Sequence, residues 1–532
     1  MLQKIFPPFV VLILFIDNFL LAQPVPAPYH TESCHIYSGT CNGLGQGKHH
    51  IMSYQHVIRR NNAAWLRLIF GETTLSSDSY IRIISLKDGA EQKLNHSALK
   101  LWQNTSAFFN GDEVRIELYV SSVDSSVSFR VVKLMVGEYN SVAGVTSICG
   151  TEDNRIRSAD STVGRIVPVG CTGWIASKGV MVTAGHCVCS DAQVVEFNVP
   201  SSLSDGTIQH PAPCDQYTIN QGTWNYHDNG IGDDWAVFSV NNNSATGKQP
   251  IQAQKDFLVP KQSLTPPTLR VTGNGVDGPA PSLGNGGTQN SDNQTEQTHT
   301  GPNAGSYGTI LNYQVDTQPG NSGSPVIDEI SGNAVGVHTN GGCTGSGGSN
   351  SGTSCYNSSF WNAITVNITL SSPQFMEGGS GASYKVDGTN VGTSFSGRGG
   401  LIESIKPSSY EFIWWSDGST TNPRTLPSDF SGYAVFKHIH FSNDADAFSN
   451  TSQRKLIQTL AGGNPRWLHQ VYTSAGHVWL EHSSDGGSTW TLGNNGQPLD
   501  GTAGGKCPSI AFTTHYTGST TDNYIGIVWQ EK

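Results

Sequence analysis

Charge is scarce in this chain of 532 residues, with Asp, Glu, Lys and Arg together making up only 13%. The formal net charge of -11 is spread thinly, without a basic block. That leaves no phosphate-tracking surface and excludes nucleic acid as an expected partner. No CxxC occurs among the ten cysteines, so no pair of such motifs can cage zinc, and neither a metal nor another cofactor is expected. After the first 22 residues no apolar run is long enough to cross about 30 Å of hydrocarbon, which argues against a membrane anchor in the mature protein.

What is abundant is glycine, at 61 residues, with hydroxyl and amide side chains at the polar positions, the composition of a turn-rich all-β chain. The length is too great for one hydrophobic core, so several domains are expected. Residues 1–22 set Lys4 ahead of an apolar run that ends near Ala22, the pattern of a secretory signal peptide. An extracellular protein is therefore expected, with its cysteines in disulfides.

Four regions then succeed one another. Residues 23–144 contain SYIRIISL and VRIELYV, whose apolar and polar positions alternate as in half-buried strands, and a β-sandwich is expected. WLRLIF and NTSAFFNGD there resemble a β-rich domain that precedes secreted bacterial trypsin-like proteases. Residues 145–365 carry the chemistry and include a Gly, Asn, Gln and Thr tract at 282–307 that reads as a surface loop. Residues 366–440, with DG turns in SYKVDGTNVGTSF and FIWWSDGST, suggest a small second β-sandwich, and the WSDG run resembles immunoglobulin-like modules of exoenzymes. Residues 441–532 hold SSDGGSTW after VYTSAGHVWLEH, read as one strand. The motif resembles the Asp-box of sialidase-like β-propellers, in which Asp485 would close a hairpin and Trp490 would pack beneath it, leaving a partial propeller-like segment.

Three short motifs carry the chemistry. CTGWIASKGVMVTAGHC runs from Cys171 to Cys187, GDDWAVF contains Asp234, and YQVDTQPGNSGSPVID centres on Ser322. Together they resemble trypsin-like enzymes of the chymotrypsin superfamily, in a branch similar to glutamyl and lysyl endopeptidases. The resemblance implies two β-barrels of six strands each, a Cys171 to Cys187 bridge beneath the catalytic loop, and a serine endopeptidase acting on protein or peptide substrates. His186 would be the general base, Asp234 would orient it, and Ser322 would be the nucleophile. Asp233 is the rival orienting residue, but Asp234 fits the frame of an aspartate before apolar residues. The order His, Asp, Ser excludes the subtilisin and α/β-hydrolase arrangements. The backbone N–H groups of Gly320 and Ser322 would form an oxyanion hole.

Residue 321 departs from the pancreatic pattern, because Asn321 has no charge to pair with a freed N-terminal ammonium, so activity should not need one. The specificity pocket gives two readings. Asp316 stands where trypsin keeps its carboxylate and favours Lys or Arg at P1. His338, with Thr317 beside Asp316, fits an acidic P1 as in glutamyl endopeptidases, although His338 also reads as a packed strand residue. Thr339, Asn340 and Gly341 would pair with the substrate backbone. Among the other cysteines, Cys34 is matched with Cys41 and Cys189 with Cys214, while Cys149, Cys343 and Cys355 compete and Cys507 is left over. A different class of function would be an inert adhesin, or a carbohydrate-binding protein contacting a surface or glycan through its C-terminal β modules. One Asp-box and no paired glycosidase carboxylates argue against a sialidase.

Overall fold

The computed structural model describes residues 24–43, 49–139, 147–277, 290–448, 452–459, 467–516 and 521–531. The expected signal peptide and the expected boundary at 144/145 lie outside them. The chain is all-β and divides into two compact units, 1–364 and 365–532.

The first unit opens with two four-stranded sheets around one core. In the strand Glu113–Ser121, Val114, Ile116, Leu118 and Val120 are all buried, which is the period-two signature of a pleated strand with one face inward. It pairs with His50–Arg59 on one side and Tyr80–Ser85 on the other. The facing sheet orders Tyr29–Tyr37, Arg130–Gly137, Trp65–Phe70 and Phe109–Asn110.

The sequence suggests a self-contained sandwich, but this core extends beyond residue 144. Val167, Val194 and Ile208 belong to the same apolar cluster as Trp65, Phe108 and Leu134. Polar groups cross the junction as well. Phe108 N–H donates to Gln216 Oε1 at 2.9 Å, Gln216 Nε2 returns a bond to the Phe108 carbonyl, and Asn110 and His210 exchange another such pair. The buried His210 imidazole stacks on Phe108 and lies 2.6 Å from Glu196, which also receives the buried Arg165 guanidinium at 2.7 Å. Burial lowers the His210 pKa, so the ring is neutral and its Nδ1–H donates to the carboxylate.

Next in the chain come two curled sheets, each with seven strands among the described residues rather than six. The first runs in the order Gln216–Thr218, Ala192–Glu196, Val163–Pro168, Cys171–Ile175, Met181–Thr183, Asp234–Phe238 and Asn225–Asp228. The second runs Ile310–Tyr313, Asn350–Ser354, Ala334–Asn340, Pro325–Asp328, Thr268–Gly273, Gln297–Pro302 and Ile156–Arg157. This is the chymotrypsin-like double barrel. The additional members are short edge strands. The tract expected as a loop at 282–307 is only partly one: residues 282–289 lie outside the described residues, but Gln297–Pro302 is a strand paired with Thr268–Gly273. Its amide and hydroxyl side chains are used inside, as where the buried Gln297 donates to Asp277.

Among the described residues, unit 365–532 has five small sheets. Asp387 and Gly388 turn a hairpin between Ser383–Val386 and Thr389–Gly392 with positive φ of 48° and 76°, the geometry that suits two-residue turns. VYTSAGHVWLEH is a hairpin rather than one strand. Leu468–Ser474 and His477–Ser483 pair around Ala475 and Gly476, both at positive φ. Asp485 sits in the next turn, where it accepts the Thr489 N–H and hydroxyl, and Trp490 stacks on His440.

Candidate active site

His186 lies in a tight turn, Gly185–Cys187, directly after the strand Met181–Thr183. A disulfide joins Cys171 to Cys187 and fixes that turn to the neighbouring strand. Asp234, fully buried at the start of Asp234–Phe238, approaches from the adjacent strand. Its Oδ2 lies 2.6 Å from His186 Nδ1, and its Oδ1 accepts the N–H groups of Gly185 at 2.6 Å and His186 at 3.1 Å. A carboxylate only accepts, so Nδ1 donates its proton to Asp234, while Nε2 is buried without a hydrogen-bond partner. Asp233 faces elsewhere, toward His227, Asn229, Asn357 and the Trp235 indole, and these donors bring its pKa down to about 2 despite its burial.

Ser322 is buried in the turn before Pro325–Asp328 of the second barrel, and the first barrel holds that turn. Thr172 N–H donates to the Ser322 carbonyl at 2.9 Å, and Thr172 Oγ1 donates to the Gly320 carbonyl. At Gly323, φ is +88° and a Cβ would lie 2.2 Å from the Thr172 carbonyl oxygen, so only glycine fits. Thr353 ties the barrels from the other side by donating its hydroxyl to the Asp234 carbonyl. The motifs at 171–187, 234 and 322 are therefore fastened to one another through backbone.

Of the expected pocket residues, His338 lies beside this turn. Gly323 N–H donates to the His338 carbonyl and His338 N–H to the Ser324 carbonyl, each at 2.8 Å, so this pairing sets His338 next to the Ser322 turn. Its ring is fully buried, with Nδ1 2.7 Å from the Tyr313 hydroxyl and Nε2 without a good hydrogen bond. Burial, together with the nearby His186 ring and against the pull of the Ser351 carbonyl, pushes its pKa down to about 3. The ring is neutral at physiological pH. Burial holds the Tyr313 phenol far above its ordinary range, so it keeps its proton and can donate to Nδ1.

Asp316 is also buried, and its carboxylate is occupied. Oδ1 accepts Cys149 N–H at 2.7 Å, while Oδ2 accepts Asn154 N–H at 2.8 Å and the Asn154 side-chain amide at 2.9 Å. Thr317 Oγ1 accepts from Asn350 Nδ2, which leaves the hydroxyl proton to give. Thr339 donates to Asn340 Oδ1, and Asn340 closes its strand just before the buried Gly341.

Asn350, Arg155 and Tyr313 stand out only in three dimensions. Asn350 accepts from Gly342 and Cys343 and donates to Ser147, Val315 and Thr317, and no motif in the sequence marks it. The cysteines also resolve. Cys149 pairs with Cys343, whereas Cys34, Cys41, Cys189, Cys214, Cys355 and Cys507 remain thiols. The expected Cys34–Cys41 and Cys189–Cys214 pairs do not form: Cys34 points into the sandwich core, while Cys41 Sγ faces the Ser38 carbonyl and Cys214 Sγ faces Asp215. Among the described residues no group of three or more His, Cys, Asp or Glu side chains could hold a metal ion.

Residues 171–337 match the family model of the trypsin-like peptidase domain. The chain is a serine endopeptidase. Solved structures similar to it include a Glu endopeptidase, 18% identical, covering 41% of this chain and 97% of its own with a TM-score of 0.31. A thermostable serine protease, AL20, from an extremophilic microorganism is 13% identical over 39% of this chain and 97% of its own, at a TM-score of 0.30. The VesB protease of Vibrio cholerae is 10% identical over 62% of this endopeptidase and 97% of its own chain, at 0.26. No curated protein matches the sequence.

Proposed function

We propose that this endopeptidase is secreted and cleaves after acidic residues, using Ser322 as nucleophile, His186 as general base and then acid, and Asp234 as the group that orients His186. In the first step His186 Nε2 takes the Ser322 hydroxyl proton as Oγ attacks the scissile carbonyl. The oxyanion forms beside the N–H groups of Gly320 and Ser322, the imidazolium returns its proton to the leaving amine, and water then hydrolyses the acyl-enzyme by the same route. Extended substrate would pair with Thr339, Asn340 and Gly341.

The acidic preference rests on the spent carboxylate of Asp316. Three N–H donors already hold it, so a Lys or Arg side chain would have to displace them. His338 offers the complementary group: with Nδ1 accepting from Tyr313, the single proton of its neutral ring lies on Nε2 and can be donated to a carboxylate. The competing preference for Lys or Arg is decided by the same experiment. Digestion of a diverse peptide library by the purified protein and by Ser322→Ala should give cleavage after Glu or Asp with the parent alone. Cleavage after Lys or Arg would reverse the specificity, and cleavage by both proteins would remove Ser322 from the mechanism.

A further inference from the structure

Arg155 sits between the Cys149–Cys343 bridge and the short strand Ile156–Arg157, and its side chain is 1% exposed. Its Nε and Nη2 donate to the Asp153 carboxylate at 3.0 and 2.7 Å, and Nη2 also donates to the Val276 carbonyl at 2.9 Å. Nη1 reaches Asn321 Oδ1 at 3.5 Å. That same oxygen accepts Gln318 N–H at 2.9 Å, closing the turn that leads into Ser322. Val276 N–H in turn donates to the Pro319 carbonyl at 2.8 Å. The guanidinium therefore meets the nucleophile turn through both Asn321 and Val276. The fit is tight: a Cβ on Gly275 would stand 2.2 Å from Asn321 Oδ1 and 2.6 Å from Arg155 Nη1.

Building on the role of Ser322, we propose that Arg155 is the internal cation that sets the oxyanion turn 318–322, in the place a freed N-terminal ammonium takes in pancreatic enzymes. It is a positioning residue that acts through Asn321. A buried cation needs a counterion, and an uncharged Asn321 cannot supply one; Asp153 does, and Arg155 holds that carboxylate below the ordinary range although burial opposes it. The pair arrives neutral as part of the chain. The segment bearing it is pinned by Asp316 and by the Cys149–Cys343 bridge, so the uncut chain already has its nucleophile turn in place.

The test uses the full chain with Asp153→Asn/Arg155→Met, which removes both buried charges, and with Arg155→Met and Arg155→Lys. Steady-state kinetics on a peptide substrate, the rate of labelling by a serine-directed phosphonate and thermal unfolding are read in parallel. The double variant is expected to lose about 100-fold in kcat and in labelling rate while KM stays within about threefold, and Arg155→Lys is expected to recover part of the loss. A double variant that melts like the parent and keeps kcat within about threefold overturns the proposal. A second measurement needs no substitution in the network: the full chain is compared with the same chain cut just before Ser147 through an inserted protease site. Equal kcat supports the internal cation, and a gain above about tenfold on cutting overturns it. A parent that shows neither hydrolysis nor Ser322-dependent labelling instead sinks the role of Ser322 and takes this proposal with it.

Discussion

Asp234 holds His186 at two points, its Oδ2 lying 2.6 Å from the imidazole Nδ1 and its Oδ1 accepting the His186 backbone N–H at 3.1 Å. The ring's tautomer and the turn that carries it thus depend on one buried carboxylate. Asp234→Asn keeps the size but lets the amide donate, which favours the wrong tautomer. Its kcat should fall by about 10³- to 10⁴-fold with thermal stability lowered far less, as steady-state assays and calorimetry will show.

Asp316 and His338 should separate stability from specificity. Asp316→Ala leaves the Cys149 and Asn154 N–H groups without their acceptor and should cost about 3 kcal/mol in denaturant unfolding without creating a preference for basic P1 residues. His338→Ala should lower kcat/KM for Glu substrates by about 100-fold and leave other P1 residues far less affected. A matched set of chromogenic peptides differing only at P1 measures both.

Glu296 gives the fold a pH dependence of its own. Burial, joined by the nearby charge of Asp160, raises its pKa from 4.5 to about 7, although Ser158 and the Asp160 N–H oppose the shift. A carboxyl raised in the folded state contributes stability that is complete below the unfolded value and lost as pH climbs through the folded one. Melting temperatures of the parent relative to Glu296→Gln should therefore decline between pH 4.5 and about pH 8. A constant difference across that range would show that Glu296 does not titrate with folding.

Removing residues 24–139 should do more than shorten the protein. Val167, Val194 and Ile208 would lose the apolar partners they share with Trp65 and Phe108, and Gln216 and His210 would lose their backbone partners. The truncated protease is expected to lack a cooperative unfolding transition and to be inactive, as calorimetry and peptide hydrolysis will report.

The candidate chemistry was legible where it depends on local backbone. TAGHC builds a tight turn and a bridge around His186, DDWAVF begins a strand at Asp234, and GNSGSP needs Gly323 at a conformation and clearance no other residue meets. Alternation likewise marked VRIELYV as a strand, because period two is written into neighbouring residues. VYTSAGHVWLEH escaped as a hairpin since its turn uses Ala475 at positive φ, where glycine or asparagine would have signalled it.

The sequence alone, then, carried the motifs around His186, Asp234 and Ser322, in that order and through their resemblance to a known family, and the all-β character of the chain, since both are written in neighbouring residues. Tertiary structure decided which partners the buried acceptors meet. Cys149 and Asn154 are brought to Asp316 from across the fold, and Arg155, 166 residues away, is buried against Asn321. Hydrogen bonds and shared cores between distant segments follow no periodicity, so only the folded chain reveals that the N-terminal sheets and the first barrel share one interior.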